Sequence, residues 1–105
     1  MEKTFIADRI TELRLRKNVS EYQMSLDLGK NKSYIQSISS GHSMPTMQSF
    51  INICEYLEVT PQQFFDSELH NIPLINKATD LMKQLDDEDM IALIGMLNRL
   101  VIKSK

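Results

Sequence analysis

A chain of 105 residues, 42% hydrophobic and 25% charged, has the composition of one globular domain or of a small domain with an added oligomerisation element. Its formal net charge of −2 gives no overall basic footprint for nucleic acid, and a single cysteine, Cys54, excludes an internal disulfide and a cysteine-built metal cluster. No apolar run approaches bilayer length, and the start MEKTFIADR lacks a signal-peptide core, so a cytoplasmic protein with no membrane partner is expected.

Taken in order, Thr4 is placed to cap a first helix reaching about Lys17, with Ile6, Ile10 and Leu13 on one stripe and Arg9, Arg14, Arg16 and Lys17 off it. Asn18 ends that helix. Ser20 caps a second, and Gln23 three places later completes a capping box. Met24 and Leu28 share one face, beside a small Ser25 where another helix has room to approach. Gly29 can adopt the left-handed conformation that ends a helix and turns the chain. Asn31 is the next expected cap, and Tyr34, Ile35 and Ile38 supply the stripe of a third helix that stops at Gly41. Two helices joined by so few residues cross steeply, the helix-turn-helix arrangement that sets one helix into a DNA major groove.

After the loop HSMP, Thr46 caps a fourth helix whose expected inward face is Met47, Phe50, Ile53, Cys54 and Leu57. Cys54 reads there as a small core residue and the methionines as core filling. Thr60 and Pro61 open a fifth helix, with Gln63 completing its capping box and Phe64 and Phe65 as anchors. The pattern lapses from Ser67 to about Asn71. Pro73 then opens a sixth helix carrying Leu74, Ile75, Ala78, Leu81, Met82 and Leu85, and Asp86 or Asp87 caps a seventh from about Glu88 to Lys103. The run Asp86, Asp87, Glu88 and Asp89 lacks the glycine and terminal glutamate of a calcium loop, so it reads as helix capping. The seventh helix is apolar almost all round. A hairpin cannot bury that circumference alone, so a homodimer through residues 72–102 is expected, with Leu81, Leu85, Met90, Ile94, Leu97 and Val101 at the interface.

The stretches RITELR, VSEYQMSLDLG, KNKSYIQSISSG and PTMQSFINICEYLEVTPQQFF give Arg9 to Phe65 a resemblance to the phage-repressor and Cro-like helix-turn-helix family of transcriptional regulators. Gly29, Ile35, Ile38, Gly41, Pro45, Leu57, Val59 and Phe65 stand at that family's framework positions. The resemblance implies a compact five-helix domain and sequence-specific DNA binding, usually as a dimer. The expectation is therefore an all-α chain, with a five-helix DNA-binding domain over 1–68 and a two-helix dimerisation hairpin over 69–105.

Carried over by position, the resemblance places the recognition helix at about 31–40 and base reading on Asn31, Lys32, Ser33, Gln36 and Ser37. Lysine suits guanine O6 and N7, glutamine suits adenine, and serines specify weakly. Phosphate contacts fall to Tyr22, Lys30, Tyr34, Ser40, His42 and the amides near Thr46, where a helix N-terminus faces an anion. No acidic residue lies between Asp27 and Glu55, whereas Lys30, Lys32 and His42 do. Three residues depart from the family pattern. Glu21 replaces a common phosphate-binding Gln, Lys30 an apolar residue, and Ser39 a Glu that often pairs with the helix-one arginine, leaving Arg14 to reach for backbone.

The expected function is a dimeric regulator, read as a repressor, on a pseudo-palindromic operator whose half-sites lie about 34 Å apart. The alternative is a protein-interaction module on the same fold, an antirepressor or partner subunit, favoured by Glu21 and the acidic balance. An enzyme is not expected: there are two histidines, His42 and His70, one cysteine and no phosphate-binding glycine loop. No cofactor, metal or small-molecule effector is implied.

Overall fold

The computed structural model describes residues 4–69 and 71–104. Among these the chain is all-helical, with seven helices and no strand. They are α1 (Phe5–Lys17), α2 (Glu21–Asp27), α3 (Tyr34–Ser39), α4 (Met47–Tyr56), α5 (Pro61–Phe65), α6 (Ile72–Met82) and α7 (Asp87–Ser104). No helix is long and apolar enough to cross a membrane. The chain divides into two compact units, Met1–His70 and Asn71–Lys105.

Local chemistry accounts for the ends of the helices in the first unit. Ser20, Thr46 and Thr60 each accept the backbone N–H three residues on, from Gln23, Ser49 and Gln63. Only Thr60 belongs to a full capping box, since the Gln63 side chain returns to the Thr60 amide. The expected box at Ser20 is half made, because the Gln23 side chain turns away to Asp27 at 2.7 Å. Thr4 makes no side-chain cap at all. The C-termini of α1 to α4 close in the same way, each around a residue of positive φ: Asn18, Gly29, Gly41 and Glu58. In α2, for example, the Gly29 amide donates to Leu26 O at 2.9 Å and the Lys30 amide to Ser25 O at 3.0 Å.

The core of this unit gathers one face from each helix. Ile10, Met24, Ile35, Ile53 and Phe64 are fully enclosed, with Leu13, Ile38, Phe50, Cys54, Leu57 and Val59 buried around them. Each large apolar side chain taken from water contributes roughly 1.5–3 kcal/mol, so this cluster is the main support of the five helices. Phe50 meets Phe64 edge to face, with ring centroids 4.9 Å apart. Several expected core residues lie elsewhere, among them Met44 and Met96, which stand exposed. Met47 is 74% exposed, because it opens α4 before the helix turns inward, and Phe65 is half out, flanked by Phe5 and Phe50.

Arg9 is the reverse case, a charged residue buried with only 3% exposure. Its Nε donates to Phe64 O at 2.7 Å and its Nη2 to Gln63 O and Asp66 O at 2.8 and 2.9 Å, while Nη1 pairs with Glu12. It thereby ties α1 to the end of α5, supplying a donor to the Phe64 carbonyl and a second donor to the Gln63 and Asp66 carbonyls, which the Asp66 and Leu69 amides already reach. Arg14 also points inward, donating to Val19 O at 2.8 Å.

In the second unit α6 begins at Asn71, in the left-handed conformation, with Pro73 inside its first turn. Residues 83–86 join it to α7, where Asp86 accepts the Asp89 amide at 2.8 Å and so caps the helix. Ile72 is buried, but α7 contains no buried residue. Met90 and Leu93 are half-covered, whereas Leu81, Leu85, Ile94, Leu97 and Val101 stand exposed.

Candidate nucleic-acid interface

The turn between α2 and α3 is held by one buried serine. Ser25 has no exposed surface; its hydroxyl donates to Glu21 O at 2.7 Å and its oxygen accepts the Ile35 amide at 3.0 Å. That second bond ties the first turn of α3 to the middle of α2, fixing the angle at which α3 leaves the turn. The sequence marks Ser25 only as small. Its role as the polar tie is visible in the structure, where a helix-start N–H needs an acceptor.

The third helix is shorter than expected. It spans Tyr34–Ser39, and Asn31, Lys32 and Ser33 form a turn ahead of it rather than its first turn. The physical reason is Asn31, whose Oδ1 accepts the Ser33 amide at 3.0 Å and lies 3.3 Å from the Ser33 hydroxyl, a side-chain turn that competes with the helix. Asn31 therefore caps this turn, and Ser33 takes the cap position of α3.

Asn31, Lys32, Ser33 and Gln36 are exposed at the head of α3. Ser37 is half-buried and serves the following loop: its hydroxyl meets that of Ser43 at 3.1 Å, and its carbonyl accepts the amides of His42 and Ser43. Ser43, which the sequence does not single out, so orders the segment after α3.

The residues expected at phosphate separate by exposure. Tyr22 and Lys30 are open to solvent, and Lys30 Nζ lies 5.2 Å from the centre of the Tyr34 ring, a cation–π contact. The Tyr34 hydroxyl is buried and makes no hydrogen bond among the described residues. Ser40 and His42 are exposed and joined through the Ser40 hydroxyl and His42 Nδ1 at 2.7 Å. Thr46 uses its side-chain oxygen to cap α4, which puts the positive end of that helix dipole beside the segment. His70 lies outside the described residues.

No carboxylate of the chain falls between Asp27 and Glu55, so the segment from Lys30 to Thr46 carries donors and positive charge and no acid of its own. Among the described residues no cluster of three or more metal-ligating side chains occurs. Burial pushes the Cys54 thiol up, away from the thiolate form that reacts or binds metal, in keeping with a core residue.

A family model described as helix-turn-helix matches residues 10–64. Comparison with curated proteins and with solved structures gave no significant match.

Proposed function

The chain belongs to the Cro/C1-type helix-turn-helix family of DNA-binding regulators, and from that premise we propose that it is a cytoplasmic repressor that binds a pseudo-palindromic operator as a homodimer. The observation that carries the reading is the Ser25–Ile35 tie, which holds the exposed polar head of α3 at a fixed angle within a strip free of acids. Lys32 and Gln36 are the base readers of this proposal, with Asn31 and Ser33 beside them. Tyr22, Lys30, Ser40, His42 and the start of α4 contact phosphate. The second unit, carrying the exposed aliphatics of α7, provides the dimer contact.

Glu21, at the start of α2, favours a second reading. A carboxylate there complements the helix dipole and repels a nearby phosphate, as in a protein-interaction module on the same fold. Fluorescence anisotropy on a selected duplex separates the two. With DNA binding, Lys32→Ala costs roughly 1–3 kcal/mol of discrimination at one base pair. A protein that binds no duplex better than random DNA sinks the regulator reading and supports the module.

A further inference from the structure

We propose that two copies of α7 pair antiparallel, crossing near Met96, with Ile91 of one copy against Ile102 of the other and Gly95 against Asn98. The proposal rests on the homodimer reading above and specifies its geometry. Ile91, Ile94, Gly95, Asn98, Val101 and Ile102 recur at spacings of three and four and so share one face of α7. Ile91 and Ile102 are 70% and 75% exposed, the most open aliphatics of the helix. They sit at the two ends of this face, about 16 Å apart along the axis.

Charge decides the direction. The first turn of α7 carries Asp87, Glu88 and Asp89 after the Asp86 cap, and its basic residues, Arg99 and Lys103, lie in the last two turns. Nothing charged lies between Asp89 and Arg99. Parallel pairing would set two acidic starts side by side. Antiparallel pairing sets each acidic start beside the partner's basic end and opposes the two helix dipoles, the positive end of each beside the negative end of the other.

Gly95 supports a close crossing. A glycine inside a helix costs about 1 kcal/mol relative to alanine, and it is tolerated where a conformation or a neighbour requires it. Gly95 has an ordinary helical φ, and a Cβ built on it meets nothing within 4 Å. No contact in its own chain accounts for the missing side chain, whereas a second helix crossing there uses the gap. Asn98, a polar residue within the same apolar face, then falls opposite the backbone exposed by the partner's Gly95 and has carbonyl groups to donate to. The same apolar face without Asn98 would pair in several registers; the amide fixes one.

Variants of the full chain with one added cysteine test this, since the native Cys54 is buried. Sedimentation first establishes the mass. Ile91→Cys and Ile102→Cys are then oxidised separately and as a mixture. The account expects a dimer mass, little cross-linking of either variant alone, and a covalent dimer from the mixture. Self-cross-linking of Ile91→Cys as efficient as that of the mixture shows parallel pairing and overturns the proposal, as does a dimer in which none of the three samples cross-links. A monomer at all concentrations overturns both this and the homodimer reading. Gly95→Leu is the second variant. It raises the helix propensity of α7 and should weaken dimerisation about tenfold or more, with no loss of helix content by circular dichroism. An unweakened Gly95→Leu dimer contradicts the crossing.

Discussion

The side-chain oxygen of Ser25 accepts the backbone N–H of Ile35 at 3.0 Å, with no exposed surface on either residue. A buried amide at a helix start has no other acceptor within reach, so the serine is part of the turn and not merely a small residue that fits. Ser25→Ala leaves that N–H unpaired and should cost about 1–3 kcal/mol in a urea titration of the whole chain. Ser37→Ala, which removes a hydroxyl pair at the edge of the loop, should stay within about 0.5 kcal/mol. Equal effects would show that the tie does not set the turn.

Arg9 is the largest single polar commitment of the first unit. Arg9→Leu preserves bulk but removes a donor from the buried Phe64 carbonyl and the second donor from the Gln63 and Asp66 carbonyls, and leaves Glu12 beside an apolar group. A loss of about 3 kcal/mol or more is expected, a large part of the stability of so small a domain. Arg9→Lys, with a single ammonium, should recover only part of it. Thermal melts that leave Arg9→Leu within 1 °C of the parent would refute this role.

Glu58 occupies a left-handed conformation, φ 60°, that glycine takes at no steric cost. It closes α4 by donating to Glu55 O at 3.1 Å, while Val59 donates to Cys54 O at 3.0 Å. Glu58→Gly should stabilise the protein by roughly 0.5–1 kcal/mol. The contact it gives up, Lys17 Nζ to Glu58 at 3.8 Å, is exposed and contributes little. A fall in melting temperature would mean the ion pair outweighs the strain.

Asp27 and Tyr56 join α2 to α4 through a 2.6 Å bond in which the phenol donates to the carboxylate. The Tyr56 hydroxyl, followed by the Gln23 amide, holds the Asp27 carboxyl below its ordinary range. A lowered carboxyl stabilises the fold above the unfolded pKa, and that support is lost as pH falls through the folded value. Partial burial, followed by the Asp27 carboxylate, pushes Tyr56 up to about 12. A raised phenol stabilises below the unfolded value near 10, and this is lost as pH rises from about 10 to 12. Tyr56→Phe should therefore flatten both the acid and the alkaline limbs of stability against pH; unchanged limbs would exclude the bond from the pH response.

Much of the fold is legible in the sequence because its signals are local. Ser20, Thr46 and Thr60 announce helix starts, and Asn18, Gly29 and Gly41 announce ends, since these residue types suit the backbone conformations found there. Glu58 breaks that code: its side chain is exposed, and its positive φ serves the closure of α4 through the Glu58 and Val59 amides. Arg9 is equally hidden: the first helix reads as a hydrophobic stripe with arginines off it, and the carbonyls that draw Arg9 inward lie more than fifty residues away. At the site, the exposed group Asn31, Lys32, Ser33 and Gln36 follows from position alone. That residues 31–33 form a turn, and that the Tyr34 hydroxyl is buried, does not, because a side-chain turn at Asn31 and a helix cap look the same in one dimension. Met47 shows the limit of periodicity, which marks a face but not where along the helix that face begins to be covered.

The central claim is that this strip reads a symmetric DNA sequence. Selection of the full chain against a random duplex library at low salt, followed by affinity against salt concentration for the winning sequence, tests it most directly. The account predicts a two-fold symmetric consensus with half-sites about 34 Å apart and a steep negative slope of log affinity on log salt. Weak binding with no enriched sequence would contradict it.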